Sequence, residues 1–343
     1  MDRQLGFTGE LATTAMGIMP HEDIDDALRL ALTTDIPFWP QLPRLSYYED
    51  MYVQAMEHFP GTVIDEERLR IFVDSNRFVE EISEYLEKEG DEGYFRLSDR
   101  FAQAYQRFLA AELGSYKSIR GQIISPVSLA LKIVDENGRP IVYNDEVRAF
   151  AYAYIQKKLN IQYEELKEKN GNAFVWIDDP GLEFIFNALC GYDNVKAKRE
   201  LTEFFEGVTG PRGLHLCGRP DWDFLLTLNI EILSFNAYAF GDLFVTYDKV
   251  KDFLERGNLI SWGIVPTSFD EFMGENVEGI AKRIEAMWDV LDEKGLDRQL
   301  VVRQSLLAPA TCNLVNPDRT ATVERSFALL GEVSDYLKGK YLQ

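Results

Sequence analysis

One unit recurs along this chain. An apolar, β-branched run meets a polar or Gly/Pro-containing end, and an amphipathic helical stretch follows. Such alternation calls for parallel strands with crossover helices, because a parallel neighbour is reached only over a long return connection. Eight runs read as strands: residues 11–19, 37–42, 121–129, 173–178, 213–217, 230–236, 259–265 and 300–307. Helical stretches follow at 145–169, 194–206, 246–256, 277–294 and 322–340, with starts marked by pairs such as Asn144-Asp145 and Asp193-Asn194. Eight units in 343 residues predict an α/β fold, a single (β/α)8 TIM barrel spanning 1–343. An open doubly wound sheet needs fewer strands and should show a glycine-rich phosphate loop, which this sequence lacks.

Residues 47–117 interrupt the pattern, since they are far too many for a βα connection. Phe59-Pro60-Gly61-Thr62 signals a turn, and acidic amphipathic stretches such as 74–88 follow it. The segment reads as a helical insertion after the second strand, covering one face as a lid or as a stabilising decoration.

Net charge is −21, which repels nucleic acid and anionic lipid and removes both from the expected partners. The charge serves solubility or offers a docking face to a complementary protein. No apolar run approaches a membrane span, and Met1 to Gly9 shows no basic-then-apolar leader, so a cytoplasmic protein is expected. Three cysteines cannot close a disulfide framework, and three histidines are equally few, so their placement carries information.

The densest local signal is Leu214-His215-Leu216-Cys217-Gly218-Arg219-Pro220-Asp221-Trp222. In a strand, residues i and i+2 share a face, so His215 and Cys217 can approach one ion from a strand end, with Gly218 allowing a sharp exit. Cys312, in Ala310-Thr311-Cys312-Asn313, ends the last expected strand. A barrel gathers such ends at one mouth, and one His with two Cys is a zinc set. A buried structural histidine and two inert core thiols fit the same residues. Cys190, beside a helix and a glycine, reads as structural. Asp178, ending the fourth strand, is either a ligand for a substrate ammonium group or the cap of the next helix. Packing is the default for Phe38, Trp39, Trp222 and Tyr238.

These segments resemble a known family. Residues 12–21, Ala-Thr-Thr-Ala-Met-Gly-Ile-Met-Pro-His, are similar to the opening of the catalytic barrel of cobalamin-independent methionine synthases. Ile177-Asp178-Asp179-Pro180-Gly181-Leu182 resembles that family's Ile-Asp-Glu-Pro-Ala-Leu segment, and His215-x-Cys217 with Cys312 resembles its zinc signature. Ser125-Pro126-Val127-Ser128 and Gly263-Ile264-Val265-Pro266 sit where the superfamily has similar strand ends. The likeness runs through nearly the whole chain but only the catalytic half of the long enzymes. It fits the short "core" methionine synthases, whose methyl donor is a methylated corrinoid. Methylcobamide:thiol methyltransferases share the barrel and the zinc pattern; uroporphyrinogen decarboxylases share the barrel without that site.

The resemblance implies a zinc-dependent transfer of a methyl group from methylcobalamin, or from a separate corrinoid protein, to homocysteine. It implies His215, Cys217 and Cys312 as zinc ligands and Asp178, Asp179, Ser125 and position 18 around the substrate. The sequence departs from the family in three places. Asn236 stands where the long enzymes have a Glu ligand, leaving Asn236, water or another carboxylate as the fourth ligand. Ile18 stands where a Ser helps hold the amino acid. The catalytic His falls near Val265-Pro266 and is absent, which suits a corrinoid donor, because its leaving group needs no general acid. No Asp-x-His-x-x-Gly corrinoid signature occurs. The alternatives are methylation of another thiol, a decarboxylase-like lyase, or a non-catalytic corrinoid-handling protein. No basic cluster suits a porphyrin's carboxylates.

Overall fold

The computed structural model describes residues 5–187 and 190–342; Met1–Gln4 of the leader reading, and Leu189 beside Cys190, lie outside these. Seven parallel strands build one curled sheet: β1 (Ala12–Thr13), β2 (Arg120–Ile124), β3 (Phe174–Asp178), β4 (Arg212–Leu216), β5 (Ile232–Phe235), β6 (Leu259–Val265) and β7 (Ser305–Pro309). Their order is β1-β7-β6-β5-β4-β3-β2. Residues 37–42, expected as a full strand, make only isolated bridges, Ile18 to Gln41 and Phe38 to Arg120. Pro37, Pro40 and Pro43 explain this, since each lacks the N–H a ladder needs. The segment still joins the sheet's two edges. Ile36 N–H donates to the Thr13 carbonyl and Arg120 N–H to the Pro37 carbonyl, each at 2.9 Å.

Three further strand expectations overran, and of residues 11–19 only Ala12–Thr13 form a strand. The run from Gly121 stops at Ile124, where the Ser125 hydroxyl accepts from Ser128 N–H and caps the helix Pro126–Lys132. Residues 298–303 are helical, started by Asp297, and the strand begins only at Ser305. Short apolar runs such as Leu300-Val301-Val302 suit either state. The helices Asp145–Lys169 and Asn194–Glu206 run as expected, because their side chains and caps agree: the Asn144 amide oxygen accepts from Glu146 and Val147 N–H, and Asp193 accepts from Lys196 N–H.

Residues 47–117 are not purely helical. Besides helices Met51–Ala55, Ser75–Lys88 and Gln103–Leu109 they hold an antiparallel hairpin, Thr62–Asp65 against Arg70–Val73. Thr62, Val63, Ile64, Ile71, Phe72 and Val73, all β-branched or aromatic, favour that pairing. An aromatic cluster docks the segment on the helix Asp145–Lys169: Phe59, Phe78 and Tyr85 meet Phe150 edge-on at 5.2, 5.3 and 4.7 Å between centroids.

Glu49 in this segment is buried, and burial pushes its carboxyl up to about 7. The folded pKa lies above the unfolded one, so stability is greatest at low pH and is lost as pH rises from the ordinary Glu range through about 7. Glu49→Gln should flatten that loss, worth at most ~3 kcal/mol, in urea titrations at successive pH values.

No helix among the described residues is long and apolar enough to cross a membrane.

Candidate metal centre

Strand register assembles the site. Ile124, Asp178, His215, Ser234 and Ser261 are successive ladder partners across β2 to β6, so Asp178, His215 and Ser234 form a polar row near the C-terminal ends of β3 to β5. His215 is the penultimate residue of β4, and Cys217 follows it by two, on the same face. Cys312 follows β7 by three residues. His215, Cys217, Cys312 and Asp178 together line one cavity of about 140 Å³.

His215 Nε2 stands 3.3 Å from Cys217 Sγ, and its Nδ1 lies 3.0 Å from Ser234 Oγ. The Cys312 thiol donates to the Cys217 sulfur, and Thr311 Oγ1 adds a second contact at 3.6 Å. These donors, with the His215 imidazole, hold Cys217 as a thiolate far below the usual thiol range, while Cys312 is driven up by the same hydrogen bond and by burial. Burial pulls His215 down, but the Cys217 charge and hydrogen bond, with Asp178, raise it overall. Trp176 stacks on the imidazole at 5.8 Å and 22°, and the buried Arg120 guanidinium lies 4.0 Å from the Trp176 ring centroid. Burial brings Arg120 down to about 9.

The donor chemistry fits zinc. Tetrahedral donors at ~2.0 Å (nitrogen) and ~2.3 Å (sulfur) from an ion sit roughly 3.5 Å apart, close to the 3.3 Å seen between His215 and Cys217. Ser234 on Nδ1 supplies the outer partner that frees Nε2 to ligate. Among the described residues, no three His, Cys, Asp or Glu side chains stand preassembled as a metal-holding group. Binding an ion here therefore requires a side-chain movement. Ser234→Ala should weaken zinc affinity ~10- to 100-fold, read by chelator competition.

The other sequence candidates divide. Asp178 lines the cavity; its Oδ1 is buried without a partner, it caps no helix, and burial raises it to about 6. Ile18 also lines the cavity. Asp179 lies behind: its Oδ1 accepts from Ser128 Oγ at 2.5 Å, its N–H donates to the His215 carbonyl at 2.9 Å, and burial raises it to about 7. Ser125 caps a helix and also hydrogen-bonds Asp179. Asn236 spends its amide oxygen on Ala239 N–H at 3.0 Å as a helix cap. Cys190 packs partly buried on the core. His21 pairs with Glu324 at 3.5 Å, and His58 stacks on Tyr94. Trp222 packs on Phe235 and Phe244, and Tyr238 donates to Glu275 at 2.7 Å, as packing readings expected. Gly218 has no positive φ. Its missing side chain instead leaves room for Glu183, whose carboxylate would stand 2.2 Å from a Cβ there and accepts from Arg219 N–H at 3.0 Å.

Sequence reading missed Ser234, Trp176 and the wall that Asp50, Met51 and Tyr52 contribute from the interrupting segment. Only Ser234 left a signal, sitting two residues before Asn236 on an expected strand.

Solved structures share this architecture. A B12-independent methionine synthase from Shewanella sp. W3-18-1, in complex with selenomethionine, matches with a TM-score of 0.55 at 14% identity over 97% of this chain and 99% of that one. A methyltransferase from Methanosarcina mazei matches with a TM-score of 0.55 at 15% identity over 97% and 95%. The chain has the fold of these two enzymes. No protein-family model and no curated protein matches its sequence.

Proposed function

We propose that this chain is a zinc-dependent thiol methyltransferase of the core methionine synthase type, with a methylated corrinoid as donor and homocysteine as the first acceptor to test. The observation that carries this reading is the convergence of His215, Cys217 and Cys312 on one cavity beside the unpartnered Asp178. Its fold neighbours, a methionine synthase and a methyltransferase, support it. The proposal extends to one domain, with residues 47–117 contributing to the cover of the mouth.

Bound zinc would supply the acidity that strips the proton from an incoming thiol at neutral pH, where a free thiol with a pKa of about 8.5 stays mostly protonated. His215, Cys217 and Cys312 would hold it and leave one position for the acceptor sulfur. Ser234 and Trp176 fix the imidazole. Asp178 takes the acceptor's ammonium group. The sulfur then attacks the methyl carbon, and the new bond forms as the bond to the leaving group breaks, whose electron pair departs with the donor. Such a leaving group needs no proton from the protein, and among the described residues no histidine other than His215 lines the cavity. The Shewanella neighbour is described as B12-independent, so the corrinoid donor rests on this chain's own missing histidine. A separate corrinoid protein is the expected partner.

Ile18 in the wall favours a second reading, the same chemistry on another thiol. A decarboxylase-like lyase is disfavoured by acids rather than bases around the cavity. The test is incubation of zinc-replete protein with methylcobalamin and a thiol panel including homocysteine. Methylated thiol, with zinc-dependent yield, is expected; zinc-loaded protein that methylates none of them overturns the proposal.

A further inference from the structure

We propose that a second depression, at the rim of the metal cavity and between Arg44 and Arg319, seats the phosphate of the methyl donor. The inference rests on the methyltransferase reading and assigns the place where the donor's anionic arm is held. The depression measures about 330 Å³ and is lined by Pro20, Glu22, Arg44, Arg319 and Thr320. Its walls continue those of the metal cavity. Ile18, Pro43 and Leu314 line the cavity, and Pro20, Arg44 and Arg319 follow them on the same three segments. Arg44 Nη1 donates to the Leu314 carbonyl at 3.2 Å, so its guanidinium stands at the boundary of the two spaces.

Charge carries the argument. The chain holds 57 acidic residues against 36 basic ones. Arg319 nevertheless has no ion pair and no side-chain hydrogen bond among the described residues, and the Thr320 hydroxyl has no partner there either. Glu22, the acid in this wall, is already committed: its Oε1 accepts from Arg44 Nε at 3.1 Å and from Nη2 at 2.9 Å. Arg44 spends three N–H groups on Glu22 and Leu314, and two of the five that a guanidinium carries remain. Neighbouring acids are taken as well, Asp318 by Arg325 at 2.8 Å and Glu324 by His21 at 3.5 Å. The depression thus keeps one cation in excess, in a molecule whose net charge is −21. Forked guanidinium N–H groups match the oxygens of a phosphate.

The loop that carries Arg319 is fixed relative to the metal ligands. Arg319 has φ 61°, a left-handed conformation uncommon outside glycine, in a turn closed by its N–H donating to the Asn316 carbonyl at 3.1 Å. Asn316 is anchored in turn: its Nδ2 donates to the Thr267 carbonyl and its Oδ1 accepts from Phe269 N–H, each at 2.9 Å. Cys312 and Arg319 therefore ride on one pinned loop. The acceptor, held by its sulfur in a cavity of about 140 Å³, does not extend past Arg44. The larger donor, entering from outside, does. A methylated corrinoid that keeps its nucleotide loop carries one phosphodiester for this place.

The test is equilibrium dialysis of zinc-replete protein against methylcobalamin and against methylcobinamide, which lacks the phosphate-bearing nucleotide loop. Methylcobalamin should bind more tightly, and the gap between the two should shrink ~3- to 5-fold in Arg319→Gln. Reading the change in the gap cancels the contacts of the nucleotide base. Arg319→Lys keeps the charge and should restore most of the gap, and added salt should narrow it in the parent. Arg319 is exposed, so the variant folds, and unchanged zinc uptake checks this. Homocysteine binding, read from the sulfur-to-metal band of cobalt-loaded protein, should not move. A gap of equal size in parent and Arg319→Gln, no binding of either corrinoid, or a loss that falls on homocysteine instead overturns the inference. Thiol methylation with an unmoved gap removes the inference alone. A gap that closes as expected, in zinc-loaded protein that methylates no thiol, removes the proposed function and leaves the anion site.

Discussion

Cys217→Ser should cut zinc affinity by well over ~100-fold and abolish thiol methylation. Outer-shell partners alone are worth ~10- to 100-fold, and a ligand is worth more. Cys217 is the pivot of the cluster: it receives the Cys312 hydrogen bond, contacts Thr311 and stands 3.3 Å from His215 Nε2. A serine hydroxyl stays neutral where the cluster holds a thiolate, and it offers a harder, less suitable donor. Cys312→Ser should behave alike. Cys190→Ser should leave affinity unchanged, because Cys190 packs against the core away from the cavity. Chelator competition on the three variants reads the outcome. Equal affinity in Cys217→Ser and the parent would return the cysteines to the role of inert thiols.

Trp176→Ala should destabilise the fold by ~3–5 kcal/mol, the range for emptying a fully buried aromatic site. Trp176 is fully buried between Arg120 and His215, so its loss strips the ring from a buried guanidinium as well as opening a cavity. The shift should appear as a lower urea midpoint with unchanged slope. Trp176→Phe, which keeps a ring, should lose less. A change below ~1 kcal/mol in the alanine variant would show that the neighbouring strands close over the gap.

The contrast between the two predictions marks what the sequence could disclose. His215 and Cys217 were legible because strand alternation is a local rule, and Cys312 because barrel topology sends strand ends to one mouth. The long helix from Asp145 was legible because caps, periodicity and charge agree over many residues. Trp176 and Ser234 were hidden because their role depends on register between strands distant in sequence. Gly213 shows the same limit: a Cβ there would stand 1.8 Å from the Trp176 ring, a constraint that only the folded neighbour reveals. The hairpin at residues 62–73 was masked by its acidic surroundings. The wall formed by Asp50, Met51 and Tyr52 was invisible, because nothing local says which face of a stretch outside the repeating units will turn inward.

The proline-broken run at residues 37–42 has a mechanical consequence. The run forms no ladder of its own and is pinned at a few points. It is expected to flex more readily than the laddered strands, and Ile18, which bridges to Gln41, and Pro43, which follows the run, are part of the cavity wall. Flexing there would admit a ligand without disturbing the histidine- and cysteine-bearing strands. Entry and chemistry would then fall to different parts of the same sheet.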